Sequence, residues 1–110
     1  MMDIEPDEFA RKYRKGELDH ALLLDVREVQ EWEDYHLDEA ALIPVNTLPD
    51  NVSRLDPKRW IYVFCAHGVR SLYACEFLQR VGFKYIVNVN GGLATVFHYL
   101  EQGDGDPIND

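Results

Sequence analysis

Basic side chains are scarce in this chain. Only 11 lysines and arginines stand against 20 aspartates and glutamates, for a net charge of −9. A field of that sign repels nucleic acid and anionic bilayers alike, so neither is an expected partner. Cysteine is scarce as well: Cys65 and Cys75 are separated by a tight loop and most of a helix. That is no disulfide framework, and a reduced, cytoplasmic setting is expected. No apolar run approaches the roughly 20 residues needed to cross a membrane. The opening residues, Met1-Met2-Asp3-Ile4-Glu5-Pro6, lack the charged and apolar regions of a secretion signal. Cys65 and His67 are of metal-ligand type, but no further histidine or cysteine cluster completes a site, so no metal and no other cofactor is expected. There is no internal repeat and no linker. What remains is 110 residues, 46% of them hydrophobic, enough for one domain around one core. Residues 1–102 are expected to form it as a monomer, with residues 103–110 as a flexible acidic tail.

The chain is organised around Trp60-Ile61-Tyr62-Val63-Phe64-Cys65-Ala66-His67-Gly68-Val69-Arg70-Ser71. β-branched and aromatic residues run straight into a cysteine, a short turn containing Gly68 follows, and a helix-like run begins at Ser71. Cys65 therefore falls at the carboxyl end of a buried strand, the edge at which open α/β sheets bind ligands. A tight loop entering a helix aims several backbone N–H groups into one small bowl that can hold an anion. Arg70 adds a permanent positive charge at the loop's end. Helix N-termini and nearby cations lower a cysteine pKa from about 8.5 into a range of roughly 3.5 to 7.5, so Cys65 is expected to be a nucleophilic thiolate.

Elsewhere the sequence alternates short strands with helices, which implies a three-layer α/β domain with a four- to five-stranded, largely parallel sheet. Ile4 can start an edge strand, and Pro6 suits the first turn of a helix that stops at Gly16. The run Ala21 to Val26 suits a strand covered on both faces. It places Asp25 and Arg27 on the same edge as Cys65, as a salt bridge holding the turn. Glu28 to Tyr35 is expected to be a short acidic helix with Val29 and Trp32 inward, followed by a hydrogen-bonded structural His36. Ala40 to Val45 reads as a strand, and Asn46 to Leu55 as a loop and weak helix. The helix after the bowl is expected to bury Leu72, Cys75 and Leu78, with Ala74, Phe77 and Val81 beside them. Cys75 is then a core residue facing away from Cys65. Tyr85 to Val89 is the last strand, and Gly91-Gly92 lets the backbone pass close to the bowl. The last helix turns Leu93, Phe97 and Leu100 inward and leaves His98 exposed.

The segment Cys65-Ala66-His67-Gly68-Val69-Arg70-Ser71 resembles the active-site loop of the rhodanese family, sulfurtransferases that carry a persulfide on this cysteine. Leu22-Leu23-Leu24-Asp25-Val26-Arg27-Glu28, with Glu31-Trp32, His36-Leu37 and Ala40, resembles the family's first signature. Asn88-Val89-Asn90-Gly91-Gly92-Leu93 resembles the glycine pair after its last strand. The three matches span residues 22 to 93 in family order. The resemblance implies Cys65 as catalytic nucleophile, Ala66, His67, Gly68, Val69, Arg70 and Ser71 as the persulfide-binding loop, and Asp25 and Arg27 as architectural support. It implies a small sulfur-donor anion such as thiosulfate, and a thiol, a protein or cyanide as acceptor. A role for His67 in guiding the anion stays open. Some two-domain members bind substrate with an arginine where this chain has Glu31, so no second substrate arginine carries over. Glu39 stands where the first signature often has glycine, and Ala66 where a polar or basic residue is common; both leave the donor open. A protein-to-protein persulfide carrier and a non-catalytic binding module are the alternatives. The cell-cycle dual-specificity phosphatases share this architecture but place one more residue between cysteine and arginine; only Ala66 to Val69 intervene here, a poor fit to phosphate.

Overall fold

The run Leu22-Leu23-Leu24 offers no polar side chain to turn toward water, and it forms a strand with apolar contacts on both sides. In the computed structural model, which describes residues 1–103, five such segments make one sheet. They are β1 (Met2–Ile4), β2 (Leu22–Asp25), β3 (Ala41–Leu42), β4 (Ile61–Phe64) and β5 (Ile86–Val89). Their order is β1-β5-β4-β2-β3, and every pairing is parallel. The helices are α1 (Pro6–Arg14), α2 (Val29–Asp34), α3 (Leu48–Asn51), α4 (Arg70–Arg80) and α5 (Gly92–Glu101), with a 3-10 turn on each side of α3. The expected tail from residue 104 onward lies outside the described residues.

Side-chain alternation along the strands builds two cores. Leu24, Val63 and Ile86 face Leu48 of α3 and Ala74, Cys75 and Leu78 of α4. Leu23, Phe64 and Val87 face Phe9 and Ala10 of α1 and Leu93 and Val96 of α5. A sheet covered on both faces needs this unbroken apolar content, and β4 lies at its centre with β5 and β2 on either side. The register sets Asp25 opposite Phe64, so the carboxyl ends of β2 and β4 coincide and open on the same edge. Glu39 accepts a hydrogen bond from the Tyr13 hydroxyl of α1.

Several expected positions shift. β3 shrinks to two residues, because the chain turns at Pro44 into the 3-10 segment Val45–Thr47. Val29 is exposed rather than inward: α2 is only six residues long and buries none of them fully. In α4 the buried stripe is Ser71, Ala74, Cys75 and Leu78, and Leu72 is 42% exposed, with Val81 also outside. Cys75 and Leu78 stay in the stripe as expected, but Ser71 and not Leu72 begins it. The small Ser71 and Ala74 let its first turns sit close to the sheet, and Ser71 is needed beneath the loop. In α5 the fully buried residues are Leu93 and Val96, with Phe97 and Leu100 half-buried and His98 exposed.

Candidate active site

Cys65 follows β4 directly, and its residue is only 1% exposed. The cysteine thus lies buried beneath the loop at the carboxyl end of β4. The backbone of Gly68, at φ +99°, curls over it. The amide of Gly68 donates to the Cys65 sulfur at 3.1 Å, and the amide of Ser71, in the first turn of α4, donates at 3.3 Å. The Ser71 hydroxyl is buried near enough to the sulfur to favour its charged form, yet meets no partner at full hydrogen-bond geometry among the described residues. Burial opposes ionisation of this thiol. Hydrogen bonds from the Ser71 side chain and from the amides of Ser71, Gly68 and His67 outweigh burial and hold the Cys65 pKa below its ordinary value.

Cys75 shows what burial does without such donors. It is fully buried within the core, its pKa is pushed up to about 12, and it is a free cysteine like Cys65.

The loop is held from below by α5. Leu93 N–H donates to the Cys65 carbonyl at 2.7 Å, and Ala94 N–H donates to the Ala66 carbonyl at 3.2 Å. The approach requires glycine at position 92, where a Cβ would stand 2.2 Å from the Ala66 carbonyl oxygen. Its φ of +76° also favours glycine.

Asp25 and Arg27 brace the neighbouring strand end. Arg27 donates its backbone N–H and its Nε to Asp25 Oδ1 at 3.0 Å each, and its Nη2 to Oδ2 at 2.8 Å. Both side chains are buried, and Arg27 Nη2 also donates to the Tyr35 carbonyl at 2.7 Å. This fork ties the end of β2 to the segment after α2 and matches the expected salt bridge. His36 likewise donates from Nδ1 to the Trp32 carbonyl at 2.7 Å and stacks on the Trp32 ring.

Arg70, at the loop's end, is held by a carboxylate. Its guanidinium does not stand free over the bowl but grips Glu31 of α2, Nη1 to Oε1 at 2.7 Å and Nη2 to Oε2 at 2.9 Å. Glu31 also accepts the Glu28 backbone N–H at 2.8 Å. The hydrogen bonds from Arg70 hold the Glu31 carboxyl down to about 2. Glu31 was legible only as a position lacking an arginine. Opposite charge was the one signal for the pair, and 39 residues separate the partners. In the loop and the first turn of α4 that follows it, His67 is exposed, and Val69, Leu72 and Tyr73 are 62%, 42% and 65% exposed. Among the described residues no helix is long and apolar enough to cross a membrane, and no group of three or more acidic, histidine or cysteine side chains is placed to hold a metal ion.

Fold and site together define a three-layer α/β domain with a parallel sheet and a cysteine under backbone amides at the carboxyl edge of its central strand. The family model for the rhodanese-like domain matches residues 5–97, and the chain belongs to that family. A rhodanese-like domain protein from Staphylococcus aureus superposes with a TM-score of 0.78 at 34% identity, over 87% of this chain and 91% of that one. A protein of Allochromatium vinosum named sulfurtransferase is 27% identical over 89 residues, 81% of this chain and 83% of its own length. The chloroplastic rhodanese-like/PpiC domain-containing protein 12 of Arabidopsis thaliana is 34% identical over 96 residues, 83% of this chain. This chain spans about a third (32%) of that longer relative.

Proposed function

We propose that residues 1–102 act as one sulfurtransferase unit in which Cys65 carries sulfane sulfur as a persulfide. The Cys65 thiolate attacks the outer sulfur of a donor such as thiosulfate, a sulfur–sulfur bond forms on Cys65, and sulfite leaves with the electron pair of the broken bond. An acceptor nucleophile (cyanide, a thiol or a protein thiolate) then attacks the outer sulfur of the persulfide and returns Cys65 as thiolate. The loop amides from Ala66 to Ser71 hold the anionic persulfide, and Asp25 and Arg27 keep the adjoining strand end in place. No general base is needed, because the loop itself favours the ionised sulfur.

The observation that carries this reading is the pair of amides, Gly68 and Ser71, aimed at a buried sulfur whose pKa is lowered. The relative named sulfurtransferase supports the same assignment. A carrier that takes its persulfide from a partner protein has one observation in its favour, the apolar rim of Val69, Leu72 and Tyr73. Intact mass after incubation with thiosulfate tests the proposal. The wild type is expected to gain one sulfur atom and Cys65→Ser none, with thiocyanate formed when cyanide is added. Loading from a persulfidated protein but not from thiosulfate would favour the carrier. No loading from any donor would leave a binding module.

A further inference from the structure

The bowl is built for an anion, yet each arginine of the loop and of the adjoining β2–α2 turn is already matched by a carboxylate. Arg27 is buried in its fork with Asp25. Arg70 is engaged at both terminal nitrogens by Glu31, in a pair about one-third exposed at the surface. Glu28 adds another negative charge within reach of Arg70, and the charge of Cys65 acts on Arg70 as well. A dianion entering the bowl therefore meets a thiolate and two carboxylates with no unmatched arginine on these segments. A donor of lower charge with an organic group avoids that repulsion and can lay the group on Val69, Leu72 and Tyr73.

Resting on the sulfur-transfer reading, we propose that Glu31 is a specificity residue that sets the charge class of the sulfur donor. By occupying Arg70 it weakens capture of dianions such as thiosulfate, which still load Cys65, relative to low-molecular-weight thiol persulfides, R–S–SH. In that step the Cys65 thiolate attacks the terminal sulfur, a new sulfur–sulfur bond forms on Cys65, the S–S bond of the donor breaks, and R–S⁻ leaves with the bonding pair. The leaving thiolate takes up the proton of the transferred sulfur, giving R–SH and Cys65–S–S⁻, with no external oxidant or reductant.

Glu31→Gln removes the charge but keeps an acceptor oxygen for both Arg70 and the Glu28 amide. Glu31→Asp keeps the charge. Steady-state kinetics with thiosulfate and with cysteine persulfide separate the two effects. Glu31→Gln is expected to raise kcat/KM for thiosulfate about tenfold, through KM, as befits one unit charge acting on a dianion near a protein surface. Its value for cysteine persulfide should change by less than about twofold by the same reasoning, and Glu31→Asp should not gain on thiosulfate. Should Glu31→Gln fail to fold, Glu31→Ala, which frees Arg70 fully, is expected to show at least as large a gain. The inference is overturned if removing the charge leaves thiosulfate kinetics unchanged, or if it lowers both donors together, the mark of a merely structural pair. If Cys65 takes sulfur from neither donor in any variant, the sulfur-transfer reading itself fails.

Discussion

Gly92→Ala is the sharpest test of how the loop around Cys65 is supported. A Cβ at position 92 would meet the Ala66 carbonyl oxygen at 2.2 Å, its carbon at 2.4 Å and the His67 nitrogen at 2.5 Å. All three are backbone atoms, so no flexible side chain can swing aside. The backbone at φ +76° costs an L-residue about 1–2 kcal/mol. Forcing α5 away from the loop adds an overpacking cost of about 1–3 kcal/mol. The displacement also weakens the bonds from Leu93 and Ala94 to the loop carbonyls. A total of about 2–5 kcal/mol is a large share of the ~5–15 kcal/mol that holds a domain together. At roughly 4 °C per kcal/mol for a domain of this size, Tm should fall by about 8–20 °C. Gly82→Ala is the matched control, because Gly82 has φ +107° and no atom within 4 Å of its added Cβ. It carries the backbone strain alone. Urea unfolding of both variants followed by circular dichroism gives the comparison. If Gly92→Ala unfolds within about 1 kcal/mol of Gly82→Ala, the close approach of α5 is not what holds the loop.

Other consequences can be measured directly. Arg27→Ala leaves the buried Asp25 carboxylate without its fork, and unfolding free energy should drop by about 3–5 kcal/mol, read from the denaturant midpoint. Alkylation of native protein should modify Cys65 alone, with a pH midpoint below the ordinary thiol value of about 8.5. Ser71→Ala should move that midpoint up, since it removes a hydrogen bond that favours the charged sulfur. Cys75, pushed up to about 12, should react only after unfolding, and a second adduct on the native protein at neutral pH would contradict its placement. The Glu31 carboxyl has a depressed pKa in the folded state, so its pairing with Arg70 stabilises the fold above the unfolded carboxyl pKa of roughly 4.3. That contribution is lost as pH falls through about 2. Thermal melts of wild type and Glu31→Gln should therefore differ at neutral pH and converge in strong acid. The gap should be small, because the pair is partly in water.

What the chain declares locally, it declares well. The strand ending at Cys65, the turn with Gly68, the helix that follows and the glycine pair at 91 and 92 are patterns of adjacent residues, and each forms where the pattern places it. The Asp25–Arg27 fork is nearly as local, since its partners lie two residues apart at a strand end. Cys75 could be assigned to the core from helical spacing alone, but Leu72 could not be assigned to the surface. Spacing gives the width of an apolar stripe, whereas the rotation of α4 is decided by the loop's need for Ser71 under the sulfur and for small residues against the sheet. The same limit applied at Val29: a helix of six residues has no room to bury a face. The engagement of Arg70 by Glu31 was further out of reach. Its geometry exists because β2 lies beside β4 in the sheet order, bringing α2 next to the start of α4. Backbone patterns and small residues are local causes and can be read in a line. The pairing of charges 39 residues apart, and the net field around Cys65, follow from strand order, which only the folded sheet decides.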